Sequence, residues 1–381
     1  MDRSKEWLES ISTGKTDKEK NLLNRAVKTL EKNIFVGEDL PWLPYRCISP
    51  GLGNFDGIWN WDAAFHGMSV SRWNVELAKE NILGFMKFQK ESGLLPDVIW
   101  RNGIVVDKYS KPPVFPWAIK IIYENSGDVD FIKEIYPNLV KNEEYWRNNR
   151  MYGGMFFYDS EGKDDEDYIT QIKYESGWDN SARWDLPITD LWPIDLNCFM
   201  VDFYSSMEFF ARVLGKKEDE KFWSKSSKEL SELINENLWD EKQECYVDTN
   251  RFTMEKSSVI TPASFMPLFV EIAPKERAEA MNEIAINKFK SRMPTVSYDN
   301  PSYSTDYWRG PTWLNVAYFA AKGLKKYGFS TGEDIKNTIL DWCYEEKRGI
   351  FENYDSISGV GLFCDHFSWS SAFIIEFICN F

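Results

Sequence analysis

Two carboxylates in this sequence stand among aromatic rings in a way that suits acid–base chemistry. Asp179 lies in Tyr174-Glu175-Ser176-Gly177-Trp178-Asp179-Asn180-Ser181-Ala182-Arg183-Trp184-Asp185, flanked by Trp178 and Trp184. A carboxyl set against such rings is partly desolvated, which raises its pKa and keeps it protonated, as a general acid at neutral pH must be. Asp-Asn-Ser is equally turn chemistry, in which Asp179 would only cap the chain reversal. Glu352, in Phe351-Glu352-Asn353-Tyr354-Asp355, could be an ionised base holding a water, or one more surface glutamate. A third cluster is Trp59-Asn60-Trp61-Asp62-Ala63-Ala64-Phe65-His66. Its paired indoles would pack on the C–H face of a pyranose, and the carboxylate would accept from vicinal hydroxyls. Read alone, it could also be a core plug at a helix end with Asp62 as the cap. Tyr307-Trp308-Arg309-Gly310-Pro311-Thr312-Trp313 and His366-Phe367-Ser368-Trp369-Ser370 add two more aromatic segments.

Composition narrows the chemistry. The 381 residues include 17 Trp, 18 Tyr and 26 Phe, but His66 and His366 are the only two histidines. A His-rich metal centre is excluded, and a Ser-His-Asp triad would have to use one of those two. Net charge is −15, and a surface that acidic repels phosphate backbones and anionic lipid, so neither nucleic acid nor membrane is an expected partner. Six scattered cysteines with no CxxC read as buried thiols, the start of the chain has no apolar leader pattern, and no apolar run is long enough to span a bilayer. A cytoplasmic protein without cofactor is expected. The acidic run Asp159 to Asp167 lacks the EF-hand order, so no metal site is assigned to it.

These residues need a scaffold, and the apolar period is helical almost throughout. Leu22, Leu23, Ala26, Val27, Leu30 and Ile34 form one stripe, opened by the capping-box pattern Thr16-Asp17-Lys18-Glu19. Phe222, Leu230, Leu233, Ile234 and Leu238 mark another. Further helices are expected near 61–72, 75–91, 114–125, 129–149, 195–214, 263–271, 276–286, 311–326, 332–346 and 367–380, about twelve in all. Pro262 and Pro311 are placed to begin helices, and Gly323 and Gly328 to lie near a helix end. Short turns alternate with long segments at roughly 35–60, 92–113, 150–194, 239–262, 287–310 and 347–366. That alternation fits helical hairpins closed into a ring, with every long loop at one end: an all-α (α/α)6 barrel. No linker or composition shift divides the chain, so one domain over 1–381 is expected.

Read together, the motifs resemble glycoside hydrolase family 63, especially its short bacterial members that act on mannosylglycerate and glucosylglycerate. The likeness runs in order from the Trp59 cluster through the Ser176-to-Asp185 and Tyr307-to-Trp313 segments to Glu352-Asn353-Tyr354 and Phe367-Ser368-Trp369-Ser370. The Glu175-to-Asp179 stretch is also similar to the signature of the related trehalases. The resemblance implies an inverting α-glycosidase on an (α/α)6 barrel, with Asp179 as general acid and Glu352 as general base. It places Trp61, Asp62, Tyr307, Trp308 and Trp313 around the glycone, with Trp59, His66, Lys111, Trp178, Arg183 and Trp369 as further substrate-binding positions. Lys111 stands where relatives usually have Gln before the Pro pair, and Ala182 replaces a common Pro; Lys111 would meet an acidic substituent or point to solvent. Should either assigned carboxylate fail, Glu175 and Asp185 would be the next acids, and Asp355 and Asp365 the next bases.

The expected function is hydrolysis, by an exo-acting enzyme, of a small soluble α-glucoside or α-mannoside, either a disaccharide (including the α,α-linked trehalase type) or a glycosylglycerate. The competing readings are a non-catalytic carbohydrate-binding barrel, and a prenyl cyclase, for which the run Asp164-Asp165-Glu166-Asp167 has the wrong spacing.

Overall fold

Alternating short and long connections are realised as two concentric rings of helices. The structure, a computed structural model, describes residues 3–35 and 43–381. The helices are α1 (Arg3–Ile11), α2 (Asp17–Lys32), α3 (Asn60–Val70), α4 (Val75–Met86), α5 (Phe115–Ser126), α6 (Val129–Asn149) and α7 (Tyr168–Ser176). They continue with α8 (Ile194–Val213), α9 (Lys217–Asn237), α10 (Met266–Phe269), α11 (Lys275–Asn287), α12 (Leu314–Lys326), α13 (Thr331–Glu345) and α14 (Ser368–Cys379). The inner ring runs α3, α5, α8, α10, α12 and α14, each touching the next, and α14 returns to α3. Outside it stand α2, α4, α6, α9, α11 and α13, which makes an (α/α)6 barrel.

Side-chain pattern decides which ring a helix joins. Every residue of α3 is buried, and so is all of α14 except its last residue. Helices that are apolar on all sides need cover on all sides, and only the inner ring supplies it. In α2 the buried stripe is Leu22, Leu23, Ala26, Val27 and Leu30, with Glu and Lys on the other face. The barrel axis is closed by aromatic rings. Phe319 of α12 meets Phe65 at 6.3 Å, Trp117 at 5.2 Å, Phe199 at 5.5 Å, Phe269 at 4.8 Å and Phe373 at 5.8 Å. Those five rings come from α3, α5, α8, α10 and α14, so each inner helix contributes one.

Local chemistry sets the short turns. The capping box forms, with Glu19 N donating to Thr16 Oγ1 at 3.2 Å and Thr16 N to Glu19 Oε2 at 2.8 Å. Asn74 caps α4 through Leu77 N at 3.1 Å, and Asp128 caps α6 through Phe131 N at 2.9 Å. Each long loop therefore leads from an outer helix into the N-terminal end of an inner one, and the loops gather at that end of the barrel.

Four features depart from the sequence expectation, the first being helix α1 (Arg3–Ile11), which the apolar period does not mark. Pro311 does not begin a helix: Thr312 pairs with Tyr354 through both backbone bonds (2.7 and 3.0 Å), and α12 starts at Leu314. The segment 150–194 contains a helix, α7, whose first turn follows the acidic run. The loops also carry two- and three-residue strands, such as Gly57–Trp59 against Val98–Trp100 and Asn353–Tyr354 against Gly361–Leu362. Segments that short leave no period to read. Among the described residues no helix is long and apolar enough to cross a membrane, and all six cysteines are free thiols, five of them buried.

Candidate active site

The loops and the inner-helix N-termini wall an open-mouthed cavity. Trp61 and Asp62 enter it from the first turn of α3, Trp369 from the first turn of α14, and Trp313 from the residue before α12. Trp308 stacks on Trp313, with centroids 3.8 Å apart and planes 11° from parallel. Trp61 and Trp313 each meet Trp369 nearly edge-on, at 5.3 and 5.4 Å. Phe55 and Trp59 line the entrance side, 5.6 Å apart. The indole N–H groups of Trp59 and Trp369 are buried without an acceptor among the described residues, which leaves two donors for a ligand's oxygens. Outward, the cavity opens into a vestibule of about 1060 Å³ that shares Phe55, Asp179, Tyr307 and Glu352 with it and adds Lys173, Asn180, Asp306 and Phe363.

Asp179 is held by the end of α7. The helix stops at Ser176, Gly177 turns left-handed (φ +73°), and Trp178 N is caught by Ser176 Oγ at 3.0 Å. Only glycine fits at 177, because a Cβ there would lie 2.4 Å from the Trp61 ring. Asn180 bolts this loop to the next: its Oδ1 accepts from Trp308 N at 2.9 Å and its Nδ2 donates to Asp306 at 2.9 Å. Arg309 closes the same seam with a fork on Asp185, at 2.9 and 2.7 Å.

Glu352 sits immediately before the Asn353–Tyr354 strand. Its N–H donates to Cys364 O at 2.8 Å and its carbonyl accepts from Ser370 Oγ at 3.1 Å. The carboxylate accepts from Tyr307 Oη at 2.7 Å and lies 3.5 Å from Cys364 N. Tyr307 reaches it from a left-handed backbone conformation (φ +45°), which is unusual for a tyrosine. The Thr312–Tyr354 bridge registers these two loops against each other.

The electrostatics are those of a crowded carboxylate pocket. Burial pushes the Asp179 carboxyl up to about 6, against the opposing pull of Lys111. Glu352 is pushed up to about 7 by burial, offset by the Tyr307 bond and Cys364 N–H and reinforced by Asp179. Burial carries Asp62 furthest, to about 8. Two carboxyls on one cavity, both titrating near neutrality, can hold one proton between them. One can deliver it while the other accepts another, the requirement for acid–base cleavage of a glycosidic bond.

Most sequence-expected positions converge on this cavity: Trp59, Trp61, Asp62, Lys111, Asp179, Tyr307, Trp308, Trp313, Glu352 and Trp369 all line it. Three expected substrate-binding residues do not. His66 lies more than a turn deeper on α3, fully buried, with Nδ1 3.2 Å from Ile48 O, and burial holds it neutral by pulling its pKa down to about 3. Arg183 is locked between Asp195 and Asp248 by four bonds of 2.7–2.8 Å and lies over the rings of Trp178 and Trp184. Trp178 lies behind Trp308, 5.1 Å away, against a smaller cavity nearer the barrel axis. Lys111 neither points to solvent nor stands unpaired: its ammonium is 2.8 Å from Asp97.

The reserve carboxylates are all engaged elsewhere: Glu175 with Arg150, Asp185 with Arg309, Asp355 with the Ile357 and Ser358 N–H groups, and Asp365 with His366. Sequence reasoning missed Asp97, whose signal was a lone carboxylate inside the apolar run Leu94-Leu95-Pro96-Asp97-Val98-Ile99. The acidic run before α7 is a hydrogen-bonded knot in which Asp165 and Asp167 hold Gln171. Among the described residues no group of three or more His, Cys, Asp or Glu side chains is arranged to hold a metal ion.

The mannosylglycerate hydrolase MGH1-like glycoside hydrolase domain family matches residues 56–370. A mannosylglycerate hydrolase of Rubrobacter radiotolerans is 22% identical, over 86% of this chain and 92% of its own length. A solved family 63 mannosylglycerate hydrolase from Thermus thermophilus, in complex with Tris and D-glycerate, superposes with a TM-score of 0.80 at 22% identity, covering 93% of this chain and 99% of that one. The neutral trehalase of Saccharomyces cerevisiae shares the fold at a TM-score of 0.73 and 17% identity, over 87% of this chain and 73% of its own. The chain belongs to the MGH1-like glycoside hydrolase domain family and is a glycoside hydrolase.

Proposed function

We propose that this MGH1-like glycoside hydrolase is an inverting, exo-acting α-glycosidase with Asp179 as proton donor and Glu352 as base. The observation that carries the reading is that both carboxyls line one aromatic cavity and its vestibule, each with its pKa raised by burial into the neutral range. The glycone stacks within the indole box, and the aglycone extends into the vestibule. Asp179 gives its proton to the glycosidic oxygen as the bond to the anomeric carbon breaks. Glu352, held by Tyr307, takes a proton from a water that attacks the opposite face, so the released sugar is the β-anomer. Proton exchange with solvent resets the pair. An inverting pair stands about 6.5–9.5 Å apart, leaving room for that water.

The substrate proposed is a small α-glucoside or α-mannoside, either a disaccharide or a glycosylglycerate. A cavity sealed at its inner end admits one sugar from a chain terminus. In the vestibule, Lys173 is the cation available to a glycerate carboxylate, while Asn180 and Asp306 suit hydroxyls.

Proton NMR of a panel (trehalose, kojibiose, nigerose, isomaltose, mannobiose, glucosylglycerate, mannosylglycerate), with Asp179→Asn run beside the wild type, tests this. The β-anomer should appear first from one member, and nothing from the variant. An α-anomer appearing first would sink the inverting assignment. Line broadening of one member without hydrolysis would favour a binding role for the barrel or a substrate sugar outside the panel.

A further inference from the structure

Lys111 is a buried cation at the cavity wall that the proposed reaction leaves unused. It closes the loop between α4 and α5, just ahead of Pro112-Pro113. Its Nζ is 2.8 Å from Asp97 Oδ1 and also donates to the carbonyl of Tyr174. That carbonyl lies in the last turn of α7 and accepts from Gly177 N at 3.0 Å. A single ammonium thus joins the residue ahead of the Val98–Trp100 strand to the helix end from which Asp179 projects. Both members of the ion pair are more than nine-tenths buried. Such pairs add little net stability, since desolvation offsets the attraction.

The surroundings say what the charge acts on. Asp62 faces Lys111 from α3, Asp179 from beyond α7 and Asp97 from the strand segment. Tyr109, from its own loop, is hydrogen-bonded to Asp97, and Glu352 with Tyr307 lies across the cavity. Among the described residues no second cation lines the cavity.

We propose that Lys111 is a positioning residue for Asp179: it ties the C-terminal turn of α7 to Asp97 and brings a positive charge to the cavity wall that the acid's carboxyl shares. The inference rests on Asp179 being the proton donor. Burial raises that carboxyl, Lys111 is the larger opposing influence, and Asp97 works in the other direction. A donor is most effective with its pKa near the working pH. The ammonium brings Asp179 into that range, while Asp97 anchors the ammonium without cancelling it.

The test is a carbon-13 NMR titration of the full chain labelled at the aspartate carboxyls, with the Asp179 signal assigned by its loss in Asp179→Asn. In Lys111→Met the Asp179 midpoint should rise by about one pH unit; in Asp97→Asn it should fall. Opposite signs from the two halves of one ion pair are an outcome that general loosening of the loop would not produce. Midpoints that stay put, or move together, overturn the proposal. Should either variant fail to fold, the double variant, which removes both halves of the ion pair together, is titrated instead; it should rise because Lys111 outweighs Asp97, and no rise overturns the proposal. If the wild type cleaves no α-glycoside yet the shifts appear, the assigned reaction is wrong and the brace stands. Cleavage without the shifts means the reverse: the reaction stands and the brace does not.

Discussion

Replacing Tyr307 by Phe removes the hydroxyl that donates to Glu352 at 2.7 Å and leaves the ring, packed 4.9 Å from both Trp313 and Phe363, in place. A hydrogen bond to a charged group contributes about 1.5–3 kcal/mol, and about 1.36 kcal/mol corresponds to one pH unit. Losing it should raise the Glu352 pKa from about 7 by about one to two units. The reactive form has Asp179 protonated and Glu352 ionised. With Asp179 at about 6 and Glu352 above it, that form is the minor arrangement of the single shared proton in the free enzyme. Below pH 6 its population falls in direct proportion to the rise at Glu352. On the alkaline side, where both groups are ionised, it depends on Asp179 alone. Measured from pH 4 to 10, kcat/KM of Tyr307→Phe should therefore be about 10- to 100-fold below wild type on the acid side. The alkaline limb should move up by the same interval, and the two profiles should converge above it. A deficit of constant size up to pH 10 would refute the reasoning and assign Tyr307 to substrate contact instead.

Three further perturbations follow from the geometry. Gly177→Ala places a Cβ against the Trp61 ring in a left-handed turn, at a backbone cost of about 1–2 kcal/mol before any displacement of the ring. A lower Tm together with a raised KM is expected, and wild-type values for both would show that the ring does not need this contact. Phe319→Ala empties the centre of the aromatic plug and should cost about 3–5 kcal/mol in denaturant unfolding, a loss below 1 kcal/mol meaning that the neighbouring rings collapse inward. Asp62 binds a proton more tightly folded (about 8) than unfolded (3.8). Unfolding therefore releases that proton between those values, and stability falls with rising pH by up to about 1.4 kcal/mol per unit. Asp62→Asn should flatten that slope and raise Tm more at pH 8 than at pH 5; an equal change at both would mean that Asp62 titrates normally.

What the sequence could convey depended on whether the signal was local. All twelve helices expected from the apolar period are present, because inner and outer helices alike must match side-chain period to burial. Alternation of loop lengths gave the ring, since antiparallel neighbours allow short turns at one end only. Helix α7 was hidden because it is short and its first turn follows an acidic run that reads as solvated loop. At the site, Trp61 and Asp62 were legible as an aromatic–carboxylate motif at a helix start, and Trp369 as part of an aromatic segment at another. His66 and Arg183 shared those motifs yet serve the interior: spacing along the chain does not say that α3 has turned away by His66, nor that Asp195 and Asp248 converge on Arg183. Asp97 was missed for the converse reason, since its partner Lys111 is close only through the fold.

The seam where α14 meets α2 has a consequence for how the chain reaches its shape. Asn33 Nδ2 donates to Ser368 Oγ at 2.8 Å across 335 residues, and Arg25 holds the carbonyls of Cys343, Glu346 and Gly349. Closing a loop of that length in a flexible chain costs about 5 kcal/mol of entropy, and every intervening hairpin that forms first shortens the distance to be closed. Helix α2, made before α13 and α14, thus finds those two neighbours only late. Until then the Leu22, Leu23, Ala26, Val27 and Leu30 stripe is an uncovered adhesive edge on a growing arc, open to any other nascent chain.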